Sequence, residues 1–370
     1  MKVLFVTNVL APYRAMFFSM LGNYCELTVL AELDSVKSRD DKWYPTKYNN
    51  YNYISLHGKA FYHEDITFGI GVVNSIRKDK YDWVIFGTYT DPSQIVAIEY
   101  CRLVNQRYII SDDGCFISDN KPLVNLLKRH ILSNASAYLT TSDCAIKTLN
   151  FYGVKKNIYK YPFSSIMGKD IANADDLYNK KYYKNKLKIK ERKIIICVAR
   201  SLPIKGIDVL LECLSAYRLS EIGVYIIGGE CTEEYKNIID KEKILNVRFI
   251  PFVQPEVLRL FYKAADCFVL PTRGDTWGLV INEAIAQGLP VVTTERCLAG
   301  TELIKDGING FLVPINNSSL LADKVNEIIT DDDLAIEMGR NNIKLAHSFT
   351  IETMVDTHRK ILDALSSLKG

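Results

Sequence analysis

A chain of 370 residues is long enough for two domains, each with a core of its own. It is 48% hydrophobic and 24% charged, as in an ordinary globular enzyme, and its net charge of +3 gives no argument for a nucleic-acid partner. No apolar run approaches the roughly 20 residues a membrane-crossing helix needs, and the stretch from Met1 to Thr7 is too short for a secretory leader.

The segment Lys2–Asn8 reads as a first parallel strand, and a helix follows through Leu21. Pro12 suits that helix's first turn, where its missing N–H would be unpaired anyway. Tyr13 and Arg14 therefore stand in the first strand-to-helix loop, which opens at the carboxyl ends of the strands. Arg14 reads either as a cation for an acidic acceptor or a diphosphate, or as a surface residue of the helix start. Glu26–Leu30 and Tyr53–Leu56 are the next strands, with a long polar loop from Asp34 to Asn52 between them. Trp83–Gly87 and Arg107–Gly114 repeat the design of an apolar strand ending in glycine. The second puts Asp112 and Asp113 at a strand's carboxyl end, where Asp113 reads as a ligand of acceptor or sugar, or as a simple Asp-Gly turn. Lys121–Leu132 is an amphipathic helix with a basic face, and core packing alone would account for its leucines. Ala137–Ser142 is another strand, with a helix to Tyr152 stopped by Gly153, and Tyr159–Phe163 is the last strand of this half.

From Ser164 to Glu191 the periodicity is lost, which predicts an interdomain linker. Lys180, Lys181, Lys184, Lys186, Lys188 and Lys190 crowd this stretch together with Tyr178, Tyr182 and Tyr183. They read as a solvated face, or as an attraction to anionic lipid headgroups. Strands resume at Lys193–Ala199, with Arg200 and Lys205 in the following loop and a helix through Tyr217. Gly223–Glu230 is a strand ending in the turn Gly228-Gly229, and Val247–Val253 precedes a helix over Pro255–Ala264. Nine cysteines are scattered without a Cys-x-x-Cys pair, several in apolar segments (Cys197, Cys213, Cys267), as expected of reduced core thiols in a cytoplasmic protein. The five histidines have no metal-ligand spacing.

The run from Pro271 to Pro290 is flanked by two buried-type strands, Cys267–Leu270 and Val291–Thr294, and predicts a loop and then a helix from near Thr276 to Gly288. The helix start offers free N–H donors and the positive end of the helix dipole, an anion site. Gly278 lets a phosphate approach the backbone there, and Glu283, about one turn on, can face the same ligand. The segment Gly300–Pro314 reads as a short helix, a glycine turn and a last strand, and the remainder is helical.

Asp275 and Glu283, with seven residues between them, the core Trp277-Gly-Leu-Val280 and the tail through Pro290 resemble the acidic–seven–acidic signature of retaining glycosyltransferases with two Rossmann-like domains, family 4 in particular. The resemblance is specific from about Ile194 to Pro314. It implies two doubly wound α/β domains (GT-B) facing each other across a cleft, with boundaries at 1–163, 164–191 (linker), 192–348 and a final helix, 349–370, crossing back. It also implies that Arg200 and Lys205 clamp the donor diphosphate with the N–H groups of Gly278 and Leu279, beside Trp277. Asp275 would hold the transferred sugar and Glu283 the ribose. The turn at Gly228 and Gly229 would pass close to the nucleotide, and the backbone at Phe252 and Val253 would read the base. Tyr13, Arg14, Asp112 and Asp113 would lie on the acceptor side. Two features depart from the family: Asp275 stands where Glu is usual, one methylene shorter, and the histidine many relatives carry near Asp112 and Asp113 is absent.

The implied activity moves a sugar from a nucleoside diphosphate sugar, a UDP-sugar by expectation, to a glycan or lipid-linked acceptor. The Pro-Tyr-Arg and Asp-Asp-Gly loops resemble enzymes of bacterial surface-glycan assembly. No cofactor and no metal are expected, because two cationic side chains do a metal's work. A cytoplasmic protein, attached peripherally to an anionic membrane through its basic segments, fits the same picture; some relatives seat an amino-domain helix like Lys121–Leu132 on the membrane. Two rivals stay open on the sequence: a sugar-nucleotide epimerase of the same fold, and a non-catalytic donor-binding subunit of a glycan assembly complex.

Overall fold

The computed structural model describes residues 1–36, 49–58, 67, 69–114, 116–117, 121–216 and 222–367. Most of the loop expected over Asp34–Asn52, together with Cys115, Tyr217 and Leu368, lies outside the described residues. Contacts divide the chain into two units, Met1–Ser165 with Thr350–Gly370, and Ile166–Phe349.

In the first unit seven parallel strands form one sheet: β1 (Lys2–Thr7), β2 (Glu26–Ala31), β3 (Asn52–Ser55), β4 (Trp83–Phe86), β5 (Tyr108–Asp112), β6 (Ala137–Thr140) and β7 (Ile158–Lys160), in the order β3-β2-β1-β4-β5-β6-β7. The connections are α1 (Pro12–Leu21), α2 (Gly71–Lys78), α3 (Pro92–Leu103), α4 (Pro122–Leu132) and α5 (Asp143–Phe151). Helices on both faces explain why the central strands read as unbroken apolar runs: Val3 to Val6 and Val84 to Phe86 are fully buried. The strand order reverses between β1 and β4, so the loops after them meet at the switch point where doubly wound sheets bind ligands.

The second unit repeats the plan with six parallel strands: β8 (Lys193–Val198), β9 (Ile222–Ile227), β10 (Val247–Ile250), β11 (Cys267–Leu270), β12 (Val291–Thr294) and β13 (Gly310–Val313), ordered β10-β9-β8-β11-β12-β13. Its helices are α6 (Lys180–Lys186), α7 (Ile207–Ala216), α8 (Glu233–Glu242), α9 (Pro255–Ala264), α10 (Leu279–Ala286), α11 (Leu298–Leu303), α12 (Ser318–Thr330) and α13 (Asp332–Ala346). Here the switch point falls between β8 and β11, which brings the Arg200–Lys205 loop beside the Asp275 loop. A final helix, α14 (Ile351–Ser367), belongs to the first unit and packs on α1. There its His358 sits edge-on to Phe17 and Tyr161, with ring centroids 4.7 and 4.6 Å away.

The stretch expected as a linker is mostly part of the second unit. It holds a short 3-10 turn over Ala174–Tyr178 and then α6. Lys180 and Lys184 bond the two oxygens of Asp266 at 3.1 and 2.9 Å, and Lys263 reaches Asp176 at 3.0 Å. Asp266 is buried and also accepts from the Ile194 N–H. Burial alone would raise its pKa, but Lys180 and Lys184 hold it below the usual carboxylate range. Removing one partner of such a buried pair costs about 3–5 kcal/mol, so these lysines anchor the segment.

Candidate functional site

The loop after β8 carries Arg200, which is exposed, and Lys205, which is partly covered. Gly206 ends a short 3-10 turn in the left-handed conformation at φ 69°. A Cβ there would stand 2.0 Å from the Pro271 carbonyl oxygen, so only glycine lets this loop lie against the loop after β11. The approach delivers Lys205 Nζ to within 2.6 Å of Asp275 Oδ2. The Asp275 backbone is fixed by its N–H to Arg296 O at 2.9 Å and by the Leu298 N–H to its own carbonyl at 3.3 Å.

The helix starts three residues later than expected. Gly278, at φ 94°, is the residue before α10, and a Cβ on it would meet Cys297 Sγ at 2.7 Å. Thr276 and Trp277 thus belong to the loop, and no side chain caps α10, which leaves the N–H groups at its start for an anion. Trp277 is buried, and its indole N–H donates to Asn282 at 2.7 Å. It packs the corner from inside. Glu283 accepts from the Tyr262 hydroxyl at 2.9 Å. Burial pushes its carboxyl up to about 7, with Tyr262 pulling the other way. No sequence signal pointed to Tyr262, which lies 21 residues before its partner in a helix that reads as ordinary packing.

The Gly228–Gly229 turn packs on the same edge. Gly228 (φ 86°) gives its N–H to Ile250 O at 2.9 Å, and a Cβ on Gly229 would meet Ser201 Oγ at 2.6 Å. Phe252 is exposed and Val253 half-buried beyond β10.

In the first unit Arg14 is buried, which overturns the reading as a surface residue. Its Nη2 reaches both oxygens of Asp113 at 2.5 and 2.6 Å. Tyr161 donates to Asp113 Oδ1 at 3.0 Å, and Thr141 donates to the Asp113 carbonyl at 2.6 Å. Asp113 is therefore a gripped carboxylate, more than an Asp-Gly turn. Burial opposes the charge on Arg14, but Asp113 outweighs it and raises the pKa. The rings of Phe163, Tyr13 and Phe5 surround the guanidinium at 5.4, 5.9 and 5.9 Å. Asp112, half-buried, ends β5 beside Thr140. Tyr161 and His358 carry no sequence signal, because Tyr161 meets Asp113, and His358 meets Tyr161, only through the fold. His358 Nδ1 bonds the Met354 carbonyl at 2.8 Å, and burial pushes the imidazole down to about 4, so it is neutral at physiological pH. Among the described residues no group of acidic, histidine or cysteine side chains is arranged to hold a metal, and no helix is long and apolar enough to cross a membrane.

Residues 179–345 match the family described as glycosyl transferases group 1. An uncharacterised glycosyltransferase of Haemophilus influenzae is 26% identical to this chain over 84% of it and 90% of its own length. The D-inositol 3-phosphate glycosyltransferase of Corynebacterium efficiens is 31% identical over 43% of this chain and 39% of its own length. In fold, the chain is similar to HepE of Anabaena, solved in complex with UDP and glucose: the TM-score is 0.76 over 99% of this chain and 100% of the other, at 16% identity. Residues 179–345 thus form a glycosyl transferases group 1 domain, and the chain is a glycosyltransferase built on the GT-B pattern of two parallel-sheet α/β units.

Proposed function

We propose that the chain is a retaining glycosyltransferase that moves a sugar from a nucleoside diphosphate sugar, a UDP-sugar, to a glycan or lipid-linked acceptor in surface-glycan assembly. The observation that carries this reading is the corner where Lys205, Asp275 and the uncapped start of α10 come together. Arg200 and Lys205, with the N–H groups of Gly278 and Leu279, neutralise the diphosphate as negative charge grows on it. Preorganised donors of this kind supply much of an enzyme's rate enhancement. Asp275 accepts from hydroxyls of the transferred sugar, and Glu283, oriented by Tyr262, accepts from the ribose. The bond from the anomeric carbon to the phosphate oxygen breaks with its electron pair going to the leaving diphosphate. The acceptor oxygen bonds to that carbon on the same face, and its proton passes to the leaving phosphate, so configuration is retained. No metal is required, because the two cations meet the diphosphate directly. Asp113, held by Arg14 and Tyr161, binds an acceptor hydroxyl, with Tyr13 and Asp112 beside it.

Peripheral attachment to an anionic membrane is part of the same proposal. Core packing accounts for Leu132 alone among the four leucines of α4: it and Ile131 are buried, while Leu123, Leu126 and Leu127 are 76%, 63% and 51% exposed. Lys121 and Arg129 lie exposed on the same helix or at its start. An apolar stripe with cations beside it suits the interface of an acidic bilayer.

Thermal stabilisation against a panel of nucleotides and nucleotide sugars tests the donor site. A ligand at a hundred times its Kd adds about 2.7 kcal/mol. A shift with uridine nucleotides that Glu283→Ala abolishes is the expected result, and no shift with any nucleotide would end the reading. Proton NMR of the product anomer tests retention.

A further inference from the structure

Arg273 lies two residues before Asp275 and was not singled out as functional. Its backbone N–H donates to Ile204 O at 2.7 Å, and the neighbouring Thr272 hydroxyl donates to the same oxygen at 2.9 Å. Its guanidinium takes Asp208, in the first turn of α7, with Nη1 at 3.0 Å and Nη2 at 2.5 Å. Nη1 also donates to the Pro203 carbonyl, and Nε donates to Asn316 Oδ1 at 2.6 Å. One side chain therefore ties the residues on both sides of Lys205 to the loop that carries Asp275.

We propose that Arg273 is the positioning residue of the donor site: it fixes the 203–208 turn so that Lys205 stands at the diphosphate position. This rests on the donor-site reading above. Arg273 is not itself a third clamp for the diphosphate. A guanidinium has five N–H donors, and four of these are committed to Asn316, Pro203 and Asp208. Lysine could not replace it, since an ammonium lacks the planar fork that takes both oxygens of one carboxylate. Lys205, on its flexible stem, gains its aim from the turn, and the turn from Arg273 and the close approach allowed by Gly206.

Two measurements on Arg273→Gln, Arg273→Lys and Asp208→Asn test this. In the first, acetic anhydride labels lysines in the full chain, and mass spectrometry follows Lys205. All three variants should label Lys205 several-fold faster than wild type, while lysines elsewhere keep their rates. Unchanged Lys205 labelling in variants that melt cooperatively would overturn the proposal, and does not depend on nucleotide binding. In the second, calorimetry compares UDP with UMP. Loss of a charge-assisted contact is worth about tenfold or more, so Arg273→Gln should shrink the preference for UDP as Lys205→Ala does. The double variant should be no worse than Lys205→Ala alone. Fully additive losses would assign Arg273 a separate role and sink the idea. A wild type that binds neither nucleotide would instead remove the donor-site reading, and with it the function assigned to the latch. Asp208→Asn guards against misfolding, because it loosens the same latch with little change of shape.

Discussion

Lys205 Nζ and Asp275 Oδ2 lie 2.6 Å apart, so the cation assigned to the diphosphate and the carboxylate assigned to the sugar neutralise each other. Their partial exposure keeps each from being stranded when a donor draws Lys205 away. Lys205→Ala should lower kcat/KM by about a hundredfold or more, the usual scale for a preorganised charge at a leaving group. Asp275→Ala should act on the same step, and the two losses should fall well short of adding. Steady-state kinetics on the two single variants and their double variant would show full additivity if the pair does not act as a unit.

Glu283 titrates near 7 because it is buried. An ionised carboxylate is the better acceptor for ribose hydroxyls, so affinity for a UDP-sugar should rise with pH through about 7 and level above it. The donor is a pyrophosphate diester with no proton of its own to lose in that range. Glu283→Gln should flatten the profile. Calorimetry from pH 5.5 to 8.5 would contradict this if wild type and variant kept the same slope.

A second buried carboxyl bears on stability. Thr67 Oγ1 lies 2.8 Å from Glu32 Oε1 and 2.9 Å from Asp91 Oδ1, and Gln94 Nε2 donates to Glu32 Oε2 at 2.8 Å. One hydroxyl proton cannot serve both carboxylates, and a neutral Glu32 supplies the one that is missing. Burial and then the charge of Asp91 push Glu32 up to about 7. The folded chain thus holds this proton more tightly than the unfolded one. Stability should therefore fall as pH rises from the ordinary glutamate range to about 7, by roughly 3 kcal/mol, and then level off. Urea melts of Glu32→Gln should lose that part of the decline.

Two glycines should resist substitution for different reasons. Gly206→Ala would place a methyl 2.0 Å from the Pro271 carbonyl oxygen, and Gly278→Ala would place one 2.7 Å from Cys297 Sγ, both at positive φ. Each should destabilise the second unit by about 1–3 kcal/mol. Gly206→Ala should in addition lower diphosphate affinity, because the Lys205 turn must back away. Denaturant melts paired with UDP titration would separate the two effects.

The exposed leucines of α4 predict a selective loss. The paired change Leu123→Asp, Leu126→Asp should weaken sedimentation with phosphatidylglycerol vesicles about tenfold or more. The melting point should barely move, since neither side chain is buried. Equal binding by wild type and variant would exclude α4 as the membrane contact.

The parallel strands were legible because burial on both faces writes them as apolar runs. Cys267–Leu270 and Val291–Thr294 are bounded in the structure as their composition suggests. The polar stretch before β8 was not legible, because its lysines meet a carboxylate more than 80 residues away, at Asp266. Local pattern could not place the start of α10 either: Gly278 turns left-handed, and Cys297, distant in sequence, leaves no room for a side chain there. Type and spacing single out the candidate site residues. What they touch was not legible, since Arg14 with Asp113, Lys205 with Asp275 and Tyr262 with Glu283 are all products of the fold.

The first unit is assembled from both sides of the second. Phe17 in α1 is fully buried, and His358 of α14 forms part of its cover. On a ribosome, residues 166–349 all emerge before α14 does. The seven-stranded sheet must therefore wait with one wall missing while its neighbour folds behind it. That interval exposes an apolar seat on α1, and it makes the second unit, not the first, the part able to finish first. Slowed translation across 166–349 would lengthen the exposure, and a chaperone that covers α1 would find its client in that window.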